Sequence, residues 1–294
     1  MKLLVTGRTG QVATSLVERA QCFPMVELLT AGRPDLDLAI LGSAKALIDA
    51  VRPDFVINTA AYTAVDAAED SPDEAYRINA DAAGEIAAAC ASTGARLIHL
   101  STDYVFDGTS DRPYREDDPV APLSVYGKSK LAGEVAVRLA LPGATIVRTA
   151  WIYSPFGHNF VRTMVRLAGE RDEVSVVDDQ HGNPTSALDL ADAILALAAR
   201  WSSGDAGGEG EIYHLAGPDA ISWAELSAKV MERLRALGQP VATVRPIPSA
   251  DWPTKAPRPR NSTLDTAKYL RDGGSAMHSF DASLEQVIRR LVAA

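Results

Sequence analysis

The sequence predicts an α/β protein: a doubly wound parallel sheet joined to a smaller C-terminal α+β portion. Three observations carry this. Short β-rich runs alternate with longer amphipathic, alanine-rich stretches through the first 150 residues, and strands separated by helices of that length need crossovers that leave them parallel. The runs LLVT, FVIN and RLIHLS are apolar nearly throughout, as strands covered on both faces are. A glycine-bearing turn, Gly7-Arg8-Thr9-Gly10, follows the first run directly. Together they describe a Rossmann-type sheet.

The elements follow in order. Strands are expected at Leu3–Thr6, Val26–Thr30, Phe55–Asn58, Arg96–Ser101 and Thr145–Thr149, with helices near 11–20, 43–51, 72–92 and 124–141. Beyond residue 150 the pattern loosens. A helix near 158–169, a strand near 174–177, a helix near 187–200 and a strand near 212–215 fit the sheet or its flank. Residues 202–210 (SSGDAGGEG) read as a flexible surface loop. A helix over 222–236 and a strand near 242–245 follow. Five prolines between Pro246 and Pro259 then mark either a plain connector or a loop that covers a substrate.

Composition narrows the function. The chain has 294 residues, 38 Asp+Glu against 29 Lys+Arg, and a net charge of -9. That balance argues against nucleic-acid and membrane-surface partners, which select basic faces; a small anionic ligand needs only a locally positive site. Cys22 and Cys90 cannot build a disulfide framework and form no CxxC, and the five histidines make no HxxxH or HxH pair. No metal is expected. MKLLVT is too short for a signal-peptide core, and no run approaches the roughly 18 apolar residues of a membrane span. The expected compartment is the cytoplasm.

The turn Gly7-Arg8-Thr9-Gly10-Gln11-Val12-Ala13 sits between the first strand and the first helix. Glycines there permit a tight reversal and let backbone N–H groups approach a pyrophosphate, while Ala13 allows close helix–strand packing. This predicts dinucleotide binding. An acid ending the second strand would bind a ribose 2′-hydroxyl and repel a 2′-phosphate. Here that strand runs Leu29-Thr30-Ala31-Gly32-Arg33, with no acid before Asp35. Arg33 and Arg8 are either phosphate ligands or solvated surface charges. NADPH is favoured, with NADH the alternative.

Tyr126 and Lys130 stand four apart at the start of a helix, on one face. A tyrosine of ordinary pKa near 10 is a poor proton donor and acceptor at pH 7. A neighbouring ammonium is expected to lower it by roughly 1–3 units. The strand at 96–101 ends in Ser101-Thr102-Asp103-Tyr104, at the carboxyl edge where open α/β sheets bind ligands. Thr102 there would hydrogen-bond a substrate carbonyl beside the Tyr126 phenol. A glycine turn, a hydroxyl at a strand end and YxxxK, in that order, specify hydride transfer to or from a carbon bearing oxygen.

Longer segments narrow this further: GRTGQV (7–12), NTAAYTAVDAAE (58–69), INA (78–80), STDYVFDG (101–108), YGKSKLAGE (126–134), RTAWIYS (148–154), DDQHGNPT (178–185) and RPRNSTLD (258–265). By these the chain resembles the extended short-chain dehydrogenase/reductases and, among them, the dTDP-4-dehydrorhamnose reductase family. The resemblance implies NADPH-dependent reduction at C4 of a dTDP-linked 4-keto-6-deoxy sugar. It puts Gly10, Gln11 and Val12 near the pyrophosphate, with Gly7, Arg8 and Thr9 in the same turn. Asp37 and Leu38 would border the adenine, and Ala60, Ala61, Tyr62 and Thr63 would line the adenosine and ribose side. Thr102 and Asp103 would face the sugar, Val65 would touch it, and Trp151 would pack against it. Tyr126 would protonate the C4 oxygen, and Lys130 would orient the nicotinamide ribose. Residues 1–150, with 187–215 returning, would bind the cofactor; 151–186 and 216–294 would hold the substrate.

The chain departs from the family in two places. Some relatives hold Mg²⁺ at a dimer contact through glutamates, but the first helix here has only Glu18 and the helix near 187–200 has none. Metal: none is expected, and the chain is either a monomer or a homodimer. Residues 29–35 also match poorly. Nucleotide-sugar 4,6-dehydratases place an Asp-Glu pair after the threonine, whereas Thr102 is followed by Asp103-Tyr104. The alternatives are another nucleotide-sugar 4-ketoreductase or an epimerase and, in a different class, a non-catalytic NADP-binding regulatory subunit.

Overall fold

The computed structural model describes residues 1–205 and 207–293. Its first half lays down β1 (Lys2–Thr6), α1 (Gln11–Ala20), β2 (Glu27–Ala31), α2 (Ser43–Val51), β3 (Phe55–Asn58), α3 (Val65–Ala68), α4 (Pro72–Tyr76), α5 (Ala82–Thr93), β4 (Arg96–Thr102), α6 (Val125–Ala140) and β5 (Thr145–Thr149). The second half adds β6 (Ile152–Tyr153), α7 (Phe160–Glu170), β7 (Glu173–Val177), β8 (His181–Gly182), β9 (Thr185–Ser186), α8 (Ala187–Ser202), β10 (Ile212–His214), β11 (Ile221–Ser222), α9 (Trp223–Ala236), β12 (Thr243–Ile247), α10 (Ala267–Arg271) and α11 (Phe280–Val292).

The central sheet has six strands in the order β10-β5-β4-β3-β1-β2, all parallel. From β1 the chain steps outward to β2, then returns past β1 to β3. That reversal opens a crevice at the carboxyl ends of β1 and β3, the place where such sheets bind ligands. Alternate residues of β1 serve opposite layers: Leu3 and Val5 pack with α1 and α8, and Leu4 with α2 and α5. A polar row crosses the sheet just below the crevice. Thr6 Oγ1 donates to Asn58 Oδ1 (2.6 Å), and Asn58 Nδ2 meets His99 Nδ1 (2.9 Å).

The helix expected over 72–92 is not one helix. Between α4 and α5 the chain makes a π-helical turn, Arg77–Asp81. The wide turn places Asn79 so that its carboxamide accepts from Tyr62 N (2.8 Å) and donates to Tyr62 O (3.1 Å) and Ser129 Oγ (2.9 Å). Helix α6 can approach this turn because residue 133 is glycine; a Cβ there would fall 2.1 Å from Asn79 O. A periodic, alanine-rich pattern does not reveal such a widening, because the extra residue changes phase without changing composition.

The strands expected near 174–177 and 242–245 form, but with each other: β7 and β12 make a separate parallel pair. With α7, α9 and α11 they enclose a second core around Met164, Leu226, Val230, Leu284 and Val287. Helix α11 was not foreseen, although Phe280, Leu284, Val287 and Ile288 share its buried face. Of the loop expected over 202–210, Ala206 lies outside the described residues; Ser202 ends α8, and the Trp201 indole donates to Gly207 O (2.8 Å). The proline-bearing segment spans the two halves. Ser249 N donates to Asp179 Oδ1 (2.9 Å), while Lys255 pairs with Asp70 and Arg258 with Asp66 (2.7 Å) beside α3. Among the described residues no helix is long and apolar enough to cross a membrane.

One buried ion pair fastens α6 to the sheet. Glu134 accepts from Arg148 Nε (3.0 Å) and Nη2 (2.8 Å), and also from Ser101 Oγ. The two charged side chains are 4% and 3% exposed. Removing one member of such a pair strands the other charge in the core. Glu134→Ala is therefore expected to lower unfolding free energy by about 3–5 kcal/mol, read from urea denaturation. A loss below about 1 kcal/mol would mean Arg148 finds water instead.

Candidate active site

Gly7 directly follows β1 at φ +102°, and a Cβ there would press within 3.0 Å of Thr59 Oγ1. This is a position for glycine on both counts. Gly10 precedes α1 in an extended conformation, and nothing lies within 4 Å of where its Cβ would be. The first turn of α1 carries no acidic residue, so its free N–H groups open onto unfilled space suited to an anion. Gln11 reaches across to the second half, where its Oε1 accepts from Ser154 Oγ (2.8 Å).

A cavity of about 630 Å³ runs from this turn along the sheet edge. It brings together Gly7, Arg8, Thr9, Gly10, Gln11, Val12, Ala60, Ala61, Thr63, Val65, Thr102, Asp103, Tyr126, Lys130 and Trp151. Arg33, Asp37, Leu38 and Tyr62 do not line it. Arg33 pairs with Asp37 (3.0 Å), and Arg8 with Asp35 (2.5 Å). Leu38 is buried in the core under α2, and the Tyr62 backbone is held by Asn79.

Helix α6 starts at its Ser124 cap, whose hydroxyl accepts from Gly127 N (3.1 Å). Residue 127 must be small, since a Cβ would fall 2.3 Å from Tyr104 O. That contact brings the first turn of α6 against the end of β4, and the Tyr104 and Tyr126 rings meet edge to face at 5.9 Å. Thr102 Oγ1 accepts from Tyr104 N (3.2 Å) and donates to Asp103 Oδ1 (3.0 Å). Lys130 is buried, and its Nζ donates to Leu100 O (2.6 Å).

Burial sets the proton affinities here. It pushes the Tyr126 phenol up to about 12; the adjacent Thr102 hydroxyl opposes the rise and the Asp103 charge adds to it. The expected lowering by Lys130 is not found: its Nζ is engaged with Leu100 O, and desolvation of the phenolate dominates. Lys130 is itself pulled down to about 8 by burial, with Glu134 opposing. Burial raises Asp103 to about 6 against the lowering influence of the nearby Ser262 and Thr102 hydroxyls, and its Oδ2 is buried without a partner. Below the site, burial and the Lys130 charge hold His99 well under its ordinary value.

Several site residues were not singled out from sequence. Trp223 lines the cavity and stacks on Trp151, and His158 lies at the same wall as Gly157. Asn79, Glu134 and Arg148 stand within the segments INA, YGKSKLAGE and RTAWIYS, whose resemblance to the family was the available signal. Among the described residues no three His, Cys, Asp or Glu side chains gather as a metal site would require.

A threonine, tyrosine and lysine converging beside a glycine turn, at the switch point of a doubly wound sheet, mark an oxidoreductase of the extended short-chain dehydrogenase/reductase class. Within that class the chain belongs to the family described as RmlD substrate binding domain, whose model matches residues 1–293. It is 44% identical to a dTDP-4-dehydrorhamnose reductase of Sinorhizobium fredii, over 99% of this chain and 98% of the relative. It is also similar to a crystal structure of a dTDP-4-dehydrorhamnose reductase from Clostridium acetobutylicum (TM-score 0.91, 36% identity, 99% of this chain and 100% of that one). A Bacillus anthracis dTDP-4-dehydrorhamnose reductase in complex with NADP superposes with TM-score 0.90 at 33% identity, over 98% of each chain.

Asp103 makes a prediction about pH. Its folded pKa, about 6, lies above its ordinary 3.8. The stability it contributes is therefore full below pH 4 and is lost as pH rises through about 6. Asp103→Asn should flatten that part of the stability profile by on the order of 1–3 kcal/mol, measured by urea denaturation at pH 4.5 and 8 alongside wild type. Parallel profiles would place the titration elsewhere.

Proposed function

We propose that this protein reduces the C4 keto group of dTDP-4-dehydro-L-rhamnose with NADPH, yielding dTDP-L-rhamnose for surface polysaccharide. The observation that carries the reading is the convergence of Thr102, Tyr126 and Lys130 with the glycine turn in one cavity, in a chain of this family. Residues 1–150 with 187–215 form the cofactor half, and 151–186 with 216–294 the substrate half. The enzyme works in the cytoplasm on a small nucleotide sugar, as a monomer or homodimer, without a nucleic-acid or membrane partner.

The residues present fit the cofactor: the space beyond Gly10 and the uncompensated start of α1 suit a pyrophosphate. When bound, NADPH supplies the hydride. Arg8 and Arg33 are proposed to grip the 2′-phosphate. Their present ion pairs are solvent-exposed, hence weak, and readily exchanged for a phosphate. Ala60, Ala61, Tyr62 and Thr63, with Asp37 and Leu38, belong to the adenosine side of this reading.

Tyr126 is the acid. It is fully protonated at neutral pH, with its pKa raised to about 12; the rise makes it a weaker acid, and the proton passes because the alkoxide developing at C4 is a stronger base still. Thr102 steadies that oxygen by a fixed dipole in a site shielded from water. Asp103 offers its unpartnered Oδ2 to a sugar hydroxyl, and Val65 and Trp151 supply apolar contact. Lys130, whose Nζ now donates to Leu100 O, would hold and orient the nicotinamide ribose.

Tyr126→Phe is expected to cut turnover by about 10²-fold or more with NADPH binding unchanged, followed by NADPH consumption with the keto sugar made in situ. Near-normal turnover would remove Tyr126 from the role of acid. Arg8→Ala should weaken NADPH about tenfold, the worth of one hydrogen bond to a charged group, while leaving the KM for NADH nearly unchanged. Equal losses for both cofactors would separate Arg8 from the 2′-phosphate.

A further inference from the structure

Trp223, the first residue of α9, stacks on Trp151 with ring centroids 3.5 Å apart and planes 7° from parallel. Phe160, the first residue of α7, leans on Trp223 at 4.6 Å. Trp151 itself stands at φ +45°, a conformation that costs a bulky residue on the order of 1–3 kcal/mol and persists only where surroundings impose it. Its indole passes so near Gly182 that a Cβ there would lie 2.4 Å from Cε2 and 2.5 Å from Nε1. Trp223 and Gly182, from two separate elements, thus close on the Trp151 ring, and Phe160 backs Trp223. Both indoles pack against the edge of the second core, but they are only half-buried and line the cavity that contains Thr102 and Tyr126.

Resting on the reading that this cavity takes a nucleotide-linked keto sugar, we infer that Trp223 is a positioning residue for the sugar, acting through Trp151. The stack and Gly182 hold the Trp151 indole in one orientation before the sugar arrives. An unstacked indole would have to be ordered on binding, at a cost in affinity for the pyranose. Apolar C–H groups of a pyranose suit an aromatic wall, and an aromatic pair of this kind contributes measurably beyond its buried area. The wall does not touch the transferred proton. Trp223 therefore governs sugar binding far more than the chemical step.

The test compares wild type with Trp223→Ala, Trp223→Phe and Gly182→Ala, using steady-state kinetics and the near-ultraviolet circular dichroism of the indoles. Trp223→Ala is expected to raise KM for dTDP-4-dehydro-L-rhamnose roughly 3- to 10-fold, with a much smaller change in kcat and none in NADPH affinity. Trp223→Phe should recover most of the loss, and Gly182→Ala should reproduce it by displacing Trp151. Thermal melts identify any variant that merely fails to fold, and Trp223→Phe then decides. An unchanged KM in Trp223→Ala, with the indole dichroism altered, overturns the inference. So does a fall in kcat at constant KM. Should wild type not turn over the keto sugar, the reaction assignment fails, and titration with dTDP-L-rhamnose decides instead. A dichroism change in wild type that is lost in Trp223→Ala upholds the positioning role; no change in wild type removes it.

Discussion

Helix α6 carries both Tyr126 and Lys130, and its seat on the sheet depends on the buried pair between Glu134 and Arg148. Arg148 belongs to β5, and Ser101, which also donates to Glu134, belongs to β4. The pair therefore ties a helix to two neighbouring strands with charge-assisted hydrogen bonds whose directions are fixed. Arg148 also lies over the Phe106 ring at 5.2 Å, so the same guanidinium braces the chain leaving β4. Thr102 and Tyr126 come from elements far apart in sequence. They share a cavity because this fastening, the Gly127–Tyr104 contact and the Gly133–Asn79 contact leave α6 only one place to lie.

Such close packing also governs the chemistry. An arrangement tight enough to exclude side chains at residues 127 and 133 packs protein closely behind the polar groups of the cavity wall. Desolvation then penalises every charged form, raising Tyr126 and Asp103 and lowering Lys130. For the Tyr126 phenol this holds the proton in place at neutral pH while making it a weaker acid. A tyrosine acting as a base would need the opposite shift, and nothing around Tyr126 provides a large one before a cofactor is bound.

The second half joins the site by threading rather than by one interface. Gln11 reaches Ser154, the chain returns through α8 and β10 to the central sheet, and the proline-bearing segment runs from Asp179 to Asp66. Each crossing passes beside a wall of the cavity: the phosphate turn, the β5 edge, and α3 with Val65. The cavity walls are accordingly built from interleaved chain, and the aromatic pair Trp151–Trp223 stands on one of them.

The parallel sheet, the glycine turn, the strand-end threonine and the YxxxK pair were legible in the sequence, because each is written in local spacing. Apolar runs signal burial on both faces, and i,i+4 spacing places two side chains on one helical face regardless of what surrounds them. Three other things required the tertiary structure. The π-helical turn at Asn79 depends on what α6 presents to it. The pairing of β7 with β12 rather than with the central sheet depends on edges that are free only once the sheet is complete. The proton affinity of Tyr126 was misread from its neighbour Lys130, because desolvation depends on every group packed around a side chain and not on the residue four positions away. Sequence by itself determined which groups are present and in what order. Only the folded chain decided how dry they are and which way their protons lean.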